Sequence, residues 1–392
     1  MTTFNLRRTL LMAILGSVSL MPLLVLPIVV GGFVDYLAFT ESEAGYVASA
    51  GFLGSATAAI VISLRIHHLD LRRLAWTGLA VLILCDAISI FAAQLDTWAF
   101  VAVRFLSGAG GAAAYAAVMG AYAGWKQPER AYGLFMSMQF LFSALGLFGL
   151  PWILDRGSAA GIFMLFTTLD VLALLFVAQV PGRGERMPVS SGPSLEWRVI
   201  AKPVALFCLA GIGLFEAANM ASFTYSERIG LLFGLDGGEI GTILGAATVL
   251  GIPAAFGVFL LGARFGRYVP IMLTGLTQSI ALLLLLTGST PSIYVIAMCL
   301  MAIGWAFALP YFQAIEARID PRGSVVVAGG FATSLGGFLG PAAAASLVRP
   351  GHYGDMITGT VIAYIVVILL IRLVQVKMRV SADGSTADGV EI

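Results

Sequence analysis

Twelve times along this chain an apolar run reaches the ~20 residues that a helix needs to cross a hydrocarbon layer. The runs fall at about 10–33, 44–64, 74–94, 97–123, 131–153, 159–180, 203–226, 239–262, 268–288, 292–315, 324–347 and 353–376. In lipid every backbone N–H and C=O must be paired inside its own segment, so runs of this kind become helices. Of the 392 residues 59% are hydrophobic and 11% charged, whereas a soluble domain carries roughly 25% charge. The sequence therefore predicts an all-α integral membrane protein with twelve transmembrane helices. A net charge of +1 argues against a nucleic-acid partner.

Most connections are short, and one is not. Residues 181–202, PGRGERMPVSSGPSLEWRVIAK, are polar, basic and rich in Pro, Gly and Ser. They divide the spans into six and six: a bundle over 1–180, a linker over 181–202, a bundle over 203–376 and a tail over 377–392. Arg7 and Arg8 precede an apolar run that continues to Val30 without a small-residue cleavage site, so it reads as a retained first span. Placing the N-terminus in the cytoplasm leaves only Arg156, Arg228 and Arg349 outside and Arg104 within the membrane. The other eighteen of the 22 Lys and Arg residues then lie inside. That asymmetry predicts a multi-pass protein of the cytoplasmic membrane with both termini cytoplasmic.

The halves echo each other. Each has a basic hairpin after its second span (63–73 and 260–268) and a Gly-then-Pro break in its fifth (145–151 and 336–341). Parallel repeats of this kind build transporters with a substrate site between them. Cys85, Cys208 and Cys299 sit in separate apolar runs and match no metal or redox spacing.

Few polar groups lie deep in the spans. An Arg there costs roughly 2.5–3.5 kcal/mol on insertion scales, so Arg104 is expected to face protein or water. Helical spacing puts Arg104, Gly108, Gly111, Tyr115 and Tyr122 within about 40° of one line, a plausible cavity wall. Glu216, Met220 and Phe223 share a face with Asn219 beside it, and a desolvated carboxylate there is a candidate proton carrier. Asp86 and Asp170 occupy matching places in successive three-span units and read as inter-helix hydrogen-bonding groups. Trp305 and Phe312 share a face of the tenth span, with Glu316 at its cytoplasmic end. Gln139 and Gln278 are expected to bond across helices. Asp35, Glu41 and Glu43 read as solvated loop charge, and His67-His68 lacks further metal ligands. No phosphate loop, HExxH or GxSxG occurs, so no enzyme and no cofactor is expected.

These features resemble the major facilitator superfamily over essentially the whole chain. Arg104, Gly108, Gly110, Gly111 and Ala112 are similar to its motif B, with Ser107 where Gln is usual. Gly262-Ala263-Arg264-Phe265-Gly266-Arg267 resembles motif A, with Ala263 replacing its Asp; Leu71-Arg72-Arg73 is the first-half copy, with His68 at the acid position. The antiporter motif GxxxGP finds its better match at Gly336, Gly340 and Pro341. The resemblance implies two six-helix bundles around a cavity lined by spans one, four, seven and ten, which favours Arg104 and Glu216 as cavity groups. It implies secondary transport, with proton-coupled export of a small amphipathic solute as the leading expectation. Glu216 would carry the proton and Arg104 tune it, with Tyr115, Asn219, Phe223 and Trp305 around the solute. Alternatives are uptake or exchange of an organic anion gripped by Arg104, and a non-transporting receptor or assembly subunit. The expected partners are a small-molecule substrate, a coupling ion and the bilayer, with the protein monomeric.

Overall fold

The computed structural model describes residues 5–65, 69–123, 128–156, 158–182, 196–262, 264–320 and 324–387. Among them regular structure is helical, apart from an isolated bridge between Arg349 and His352. Span 1 comes in three pieces, Leu6–Val18, Met21–Leu24 and Leu26–Leu37. Spans 2 to 6 are Glu41–Arg65, Leu71–Ser89, Thr97–Ala123, Pro128–Arg156 and Ala159–Leu174. Span 7 is Pro203–Thr224, continued by Ser226–Leu232. Spans 8 to 12 are Gly237–Leu261, Tyr268–Thr287, Pro291–Ile319, Ser324–Leu347 and Gly354–Ala387. Ten of these helices are individually long and apolar enough to cross a bilayer. The other two crossings are the broken first span and span 3, which carries Arg72, Arg73 and Asp86.

Three details depart from the sequence reading. Span 1 is not continuous, because Pro22 and Pro27 supply no N–H and crowd the carbonyls four residues back. The chain leaves helical geometry at Leu20 (φ −106°) and Val25 (φ −119°), and the Ser143 hydroxyl donates to the Leu24 carbonyl at 2.8 Å. Span 7 lapses at Tyr225 (φ −103°) and resumes to Leu232 rather than ending near 226. The last helix passes residue 376, where a tail was expected, and runs to Ala387.

Helix starts follow local chemistry. The Asp70 carboxylate caps span 3 by accepting from Arg73 N, and Asp236 and Glu239 form a reciprocal capping box at span 8. In the first half, span 4 packs on spans 2 and 3, span 3 on span 6, and span 1 on span 5. In the second, span 7 packs on spans 11 and 12, span 10 on spans 8 and 9, and span 9 on span 12. The halves meet chiefly along two seams, span 2 against span 11 and span 5 against span 8.

Glycine permits the closest of these contacts. A Cβ on Gly54 would fall 1.8 Å from the Phe105 carbonyl oxygen, and one on Gly108 1.9 Å from that of Gly51. In the other half a Cβ on Gly336 would lie 2.2 Å from Gly213 O, and one on Gly340 2.3 Å from Ala217 O. The motif glycines therefore clip span 4 to span 2 and span 11 to span 7 at backbone contact. Pro341 is carried inside span 11, buried. One end of the molecule carries the turns between spans 1 and 2, 7 and 8, and 11 and 12, here the loop end. The opposite end carries the first and last described residues, here the terminal end.

Candidate functional site

Between the halves lies a cavity of about 260 Å³, lined from spans 1, 2, 5, 7, 8 and 10. Its walls are mostly apolar: Leu20, Leu23 and Leu24 at the break in span 1, then Phe52, Met136, Phe140, Met220, Phe223, Met298, Met301 and Trp305. Polar groups are few and spread over both halves: Gln139 and Ser143 from span 5, Glu216, Asn219 and Ser226 from span 7, Thr248 from span 8. Glu216 is the one ionisable side chain among them. Its Oε2 accepts a hydrogen bond from the Trp305 indole N–H at 3.1 Å. An apolar enclosure with a few convergent polar groups suits a small organic ligand.

Glu216, Asn219, Phe223 and Trp305, which the family resemblance put around the solute, line this one cavity. Gln139 joins them, where the sequence reading had it bonding across helices. Phe312 does not; it is buried against Phe215, ring centroids 5.4 Å apart. Gln278 does bond across helices, its amide donating to Met301 O at 3.0 Å. A larger concavity of about 750 Å³ between spans 5 and 6, rimmed by Trp152 and Arg156, draws its lining from one half alone and holds no carboxyl group.

Arg104 is not in the cavity. It is buried in a seam between spans 3, 4 and 6, where its guanidinium donates to Asp86 Oδ1 at 2.6 Å and to Ser89 Oγ at 3.4 Å. It also lies 5.3 Å from the Phe163 ring centroid. The face of span 4 read as a cavity wall is a packing face instead. Gly108 abuts span 2, Gly111 abuts Ser19 O, and the Tyr115 ring lies tilted against Phe135 of span 5. Tyr122 is fully buried and donates to Thr9 O at 2.8 Å. The physical reason is that glycines on one helical line admit neighbouring backbones, which fills the space a solute would need. Asp86, read from the sequence as an inter-helix hydrogen-bonding group, is the partner that takes the Arg104 charge.

At the loop end a charged clasp joins the halves. Arg228, on the second piece of span 7 and 6% exposed, donates to both Asp35 carboxylate oxygens, at 2.7 and 2.5 Å. It also donates to Glu227 at 2.6 and 2.9 Å. Nearby the Tyr225 hydroxyl donates to Glu41 O, the Tyr353 hydroxyl to the Glu41 carboxylate, and Ser42 Oγ to Ala345 O. Burial, then the bond to Glu41, pushes the Tyr353 phenol well above its usual range, so it acts as a donor. Asp35 and Glu41 are therefore not idle solvated charge, as their loop position had suggested. The signal in the sequence was Arg228, a cation on the side that carries almost none, adjacent to an acid.

Other motif positions are structural in placement. Gly262 and Gly266 take positive φ (51° and 73°) in the turn between spans 8 and 9, and the Tyr311 hydroxyl anchors that turn by donating to Gly262 O at 2.9 Å. Arg264 and Arg267 lie in the same turn at the terminal end. Glu316 is buried rather than at a wet helix end, with its carboxyl pressed against Gly329 and Oε1 without a donor. Ala263 and His67-His68 lie outside the described residues.

Comparison with known proteins places this geometry. The family model described as Major Facilitator Superfamily matches residues 9–341. Comparison with curated proteins finds no match. Among solved structures, a crystal structure of a variant of the nucleoside transporter NupG superposes with a TM-score of 0.76 at 14% identity, covering 94% of this chain and 99% of the other. Another crystal structure of NupG gives a TM-score of 0.69 at 15% identity, covering 95% and 99%. At such identity the likeness is one of fold, whereas the family model matches most of the sequence: the chain belongs to the Major Facilitator Superfamily.

Proposed function

We infer that this transporter exports a small amphipathic organic solute in exchange for protons, with Glu216 as the group that alternately holds the proton and faces the solute. One observation carries the reading: among the described residues, Glu216 is the lone ionisable side chain lining a cavity built from both halves. A carboxyl there gains or loses charge in a low-dielectric space where, among the described residues, no cation lines the wall, so binding a cationic or polar solute competes with binding a proton. The apolar remainder of the lining favours a solute with aromatic or aliphatic bulk.

In this reading the halves 1–180 and 203–376 rock as units about the linker 181–202. With both termini in the cytoplasm, the loop end is extracellular and the clasp of Asp35, Arg228 and Glu41 closes the outside. The cavity then faces inward, with half-exposed Met136 on its terminal-end rim. Organic-anion uptake loses its support, since the guanidinium meant to grip the anion is spent on Asp86.

A nucleoside is the second reading. It is favoured by the amides of Gln139 and Asn219 set among the rings of Phe52, Phe140, Phe223 and Trp305, and by the NupG fold likeness. Reconstituted protein under an imposed proton gradient separates the two. Gradient-driven flux of amphipathic cations, lost in Glu216→Gln while counterflow persists, supports the first. Saturable nucleoside flux with no response to the cations favours the second. Flux of either kind that is indifferent to Glu216→Gln overturns the role of the carboxyl.

A further inference from the structure

Asp86, Arg104 and Asp170 form a buried charged cluster that the cavity does not use. They come from spans 3, 4 and 6 of one half, and none of them lines the cavity. The Arg104 guanidinium and the Ser107 hydroxyl both donate to the same atom, Asp86 Oδ1, at 2.6 and 3.2 Å. Asp86 Oδ2 and Asp170 Oδ2 are buried and receive no donor. Span 3 packs on span 6 here, and the two carboxyls are close enough to interact across that seam.

The titratable groups gathered there are Arg104, Asp86, Asp170 and the Cys85 thiol beside the first two. With both acids ionised the seam would hold two negative charges against one guanidinium. Asp86 is 0% and Asp170 2% exposed, so the surplus charge would have no water to solvate it. Two carboxylates offer acceptors only, and a bond between them requires a hydrogen on one. A metal cation in place of that hydrogen would need a cage of several oxygens. No group of three or more metal-binding side chains occurs among the described residues.

We propose that Asp86 and Asp170 share one bound proton, carried on Asp170 and kept throughout the transport cycle, at a site separate from Glu216. The assignment to Asp170 follows from the donors: Arg104 and Ser107 stabilise the anion on Asp86, whereas Asp170 has Asp86 to donate to. The cluster is then neutral overall and ties spans 3, 4 and 6 into one body. Asp170→Asn should reproduce it, because an amide N–H can point at Asp86 Oδ2 as the acid O–H does.

The test uses purified full-length protein, with thermal unfolding followed from neutral to alkaline pH, infrared absorption, and transport in proteoliposomes. Wild type should lose thermal stability as pH rises, since removing the shared proton strands a charge in a dry seam. D170N should match wild type at neutral pH, show no alkaline loss, lack one carboxylic-acid C=O band and keep the wild-type pH profile of transport. D86N should unfold earlier at every pH, having left Arg104 without its counter-ion. E216Q should keep the band and the alkaline loss even if gradient-driven flux is abolished, so the two proton roles fail independently. The proposal is overturned if D170N is as destabilised at neutral pH as D86N, if no carboxylic-acid band is lost, or if D170N shifts the transport pH profile.

Discussion

Replacing Asp35 by Asn should let the loop end open. In the structure Asp35 takes two bonds from Arg228, at 2.7 and 2.5 Å, and these tie span 1 to span 7 across the two halves. A hydrogen bond to a charged group contributes about 1.5–3 kcal/mol when buried, while exposed ion pairs contribute about 0–1 kcal/mol. The Asp35 side chain is 47% exposed and Arg228 6%, so the pair falls between, at about 1–2 kcal/mol. Losing it should raise the ratio of open to closed loop ends by about 5–30-fold. Glu227 remains on Arg228 in this variant, so no bare buried cation is created. The assay is pulsed electron spin resonance between nitroxides at Trp98 and Leu232, both exposed at the loop end and one in each half. Cys85, Cys208 and Cys299 are replaced by Ala beforehand. The long-distance population should grow in D35N. In E227Q, where only a bond within span 7 is weakened, it should not. An unchanged distribution in D35N, or an equal change in E227Q, refutes the assignment of the clasp as the bond between halves.

Arg104→Gln should cost about 3–5 kcal/mol by leaving Asp86 buried without its cation, read as a fall in unfolding temperature; near-normal stability with lost substrate affinity would restore the clamp reading. Gly54→Ala forces a Cβ to 1.8 Å from Phe105 O and should destabilise by about 1–3 kcal/mol or more, visible as early thermal unfolding. Trp305→Phe keeps an aromatic wall but removes the donor to Glu216; solute affinity should weaken by about 5–30-fold, equivalent to one or two kcal/mol, with the unfolding temperature kept. Gly329→Ala should destabilise, because its Cβ would meet the Glu316 carboxyl at 2.1 Å; wild-type unfolding would mean that Glu316 turns aside freely.

The sequence makes the large features readable for a simple reason: a bilayer needs runs of fixed length, so the places of twelve crossings and one long linker stand out without any pairing information. Helical spacing also puts Glu216, Met220 and Phe223 on one face with Asn219 beside it, although only the family resemblance says that this face turns to the cavity. What fails is partner choice. Arg104 sits on a tidy line with Gly108 and Gly111, yet spacing cannot tell a face that admits a solute from one that admits a backbone. Its counter-ion lies 18 positions earlier on another helix. Asp35 and Arg228 are 193 positions apart; Arg228 stands out as a misplaced cation, but Asp35 looks like ordinary loop charge until the halves are brought together. Pro22 and Pro27 were visible, but an apolar run long enough to span masked the interruption they impose.

The interruption in span 1 has a mechanical sense. Leu20, Leu23 and Leu24 touch the central space, and the short rod that follows, Leu26–Leu37, ends beside the latch at Asp35. Under the proposed export reading, a solute held against these leucines would bear on one end of a rod whose other end is fastened to Arg228. Central occupancy and release of the loop end would then be connected by a dozen residues of a single strip of chain.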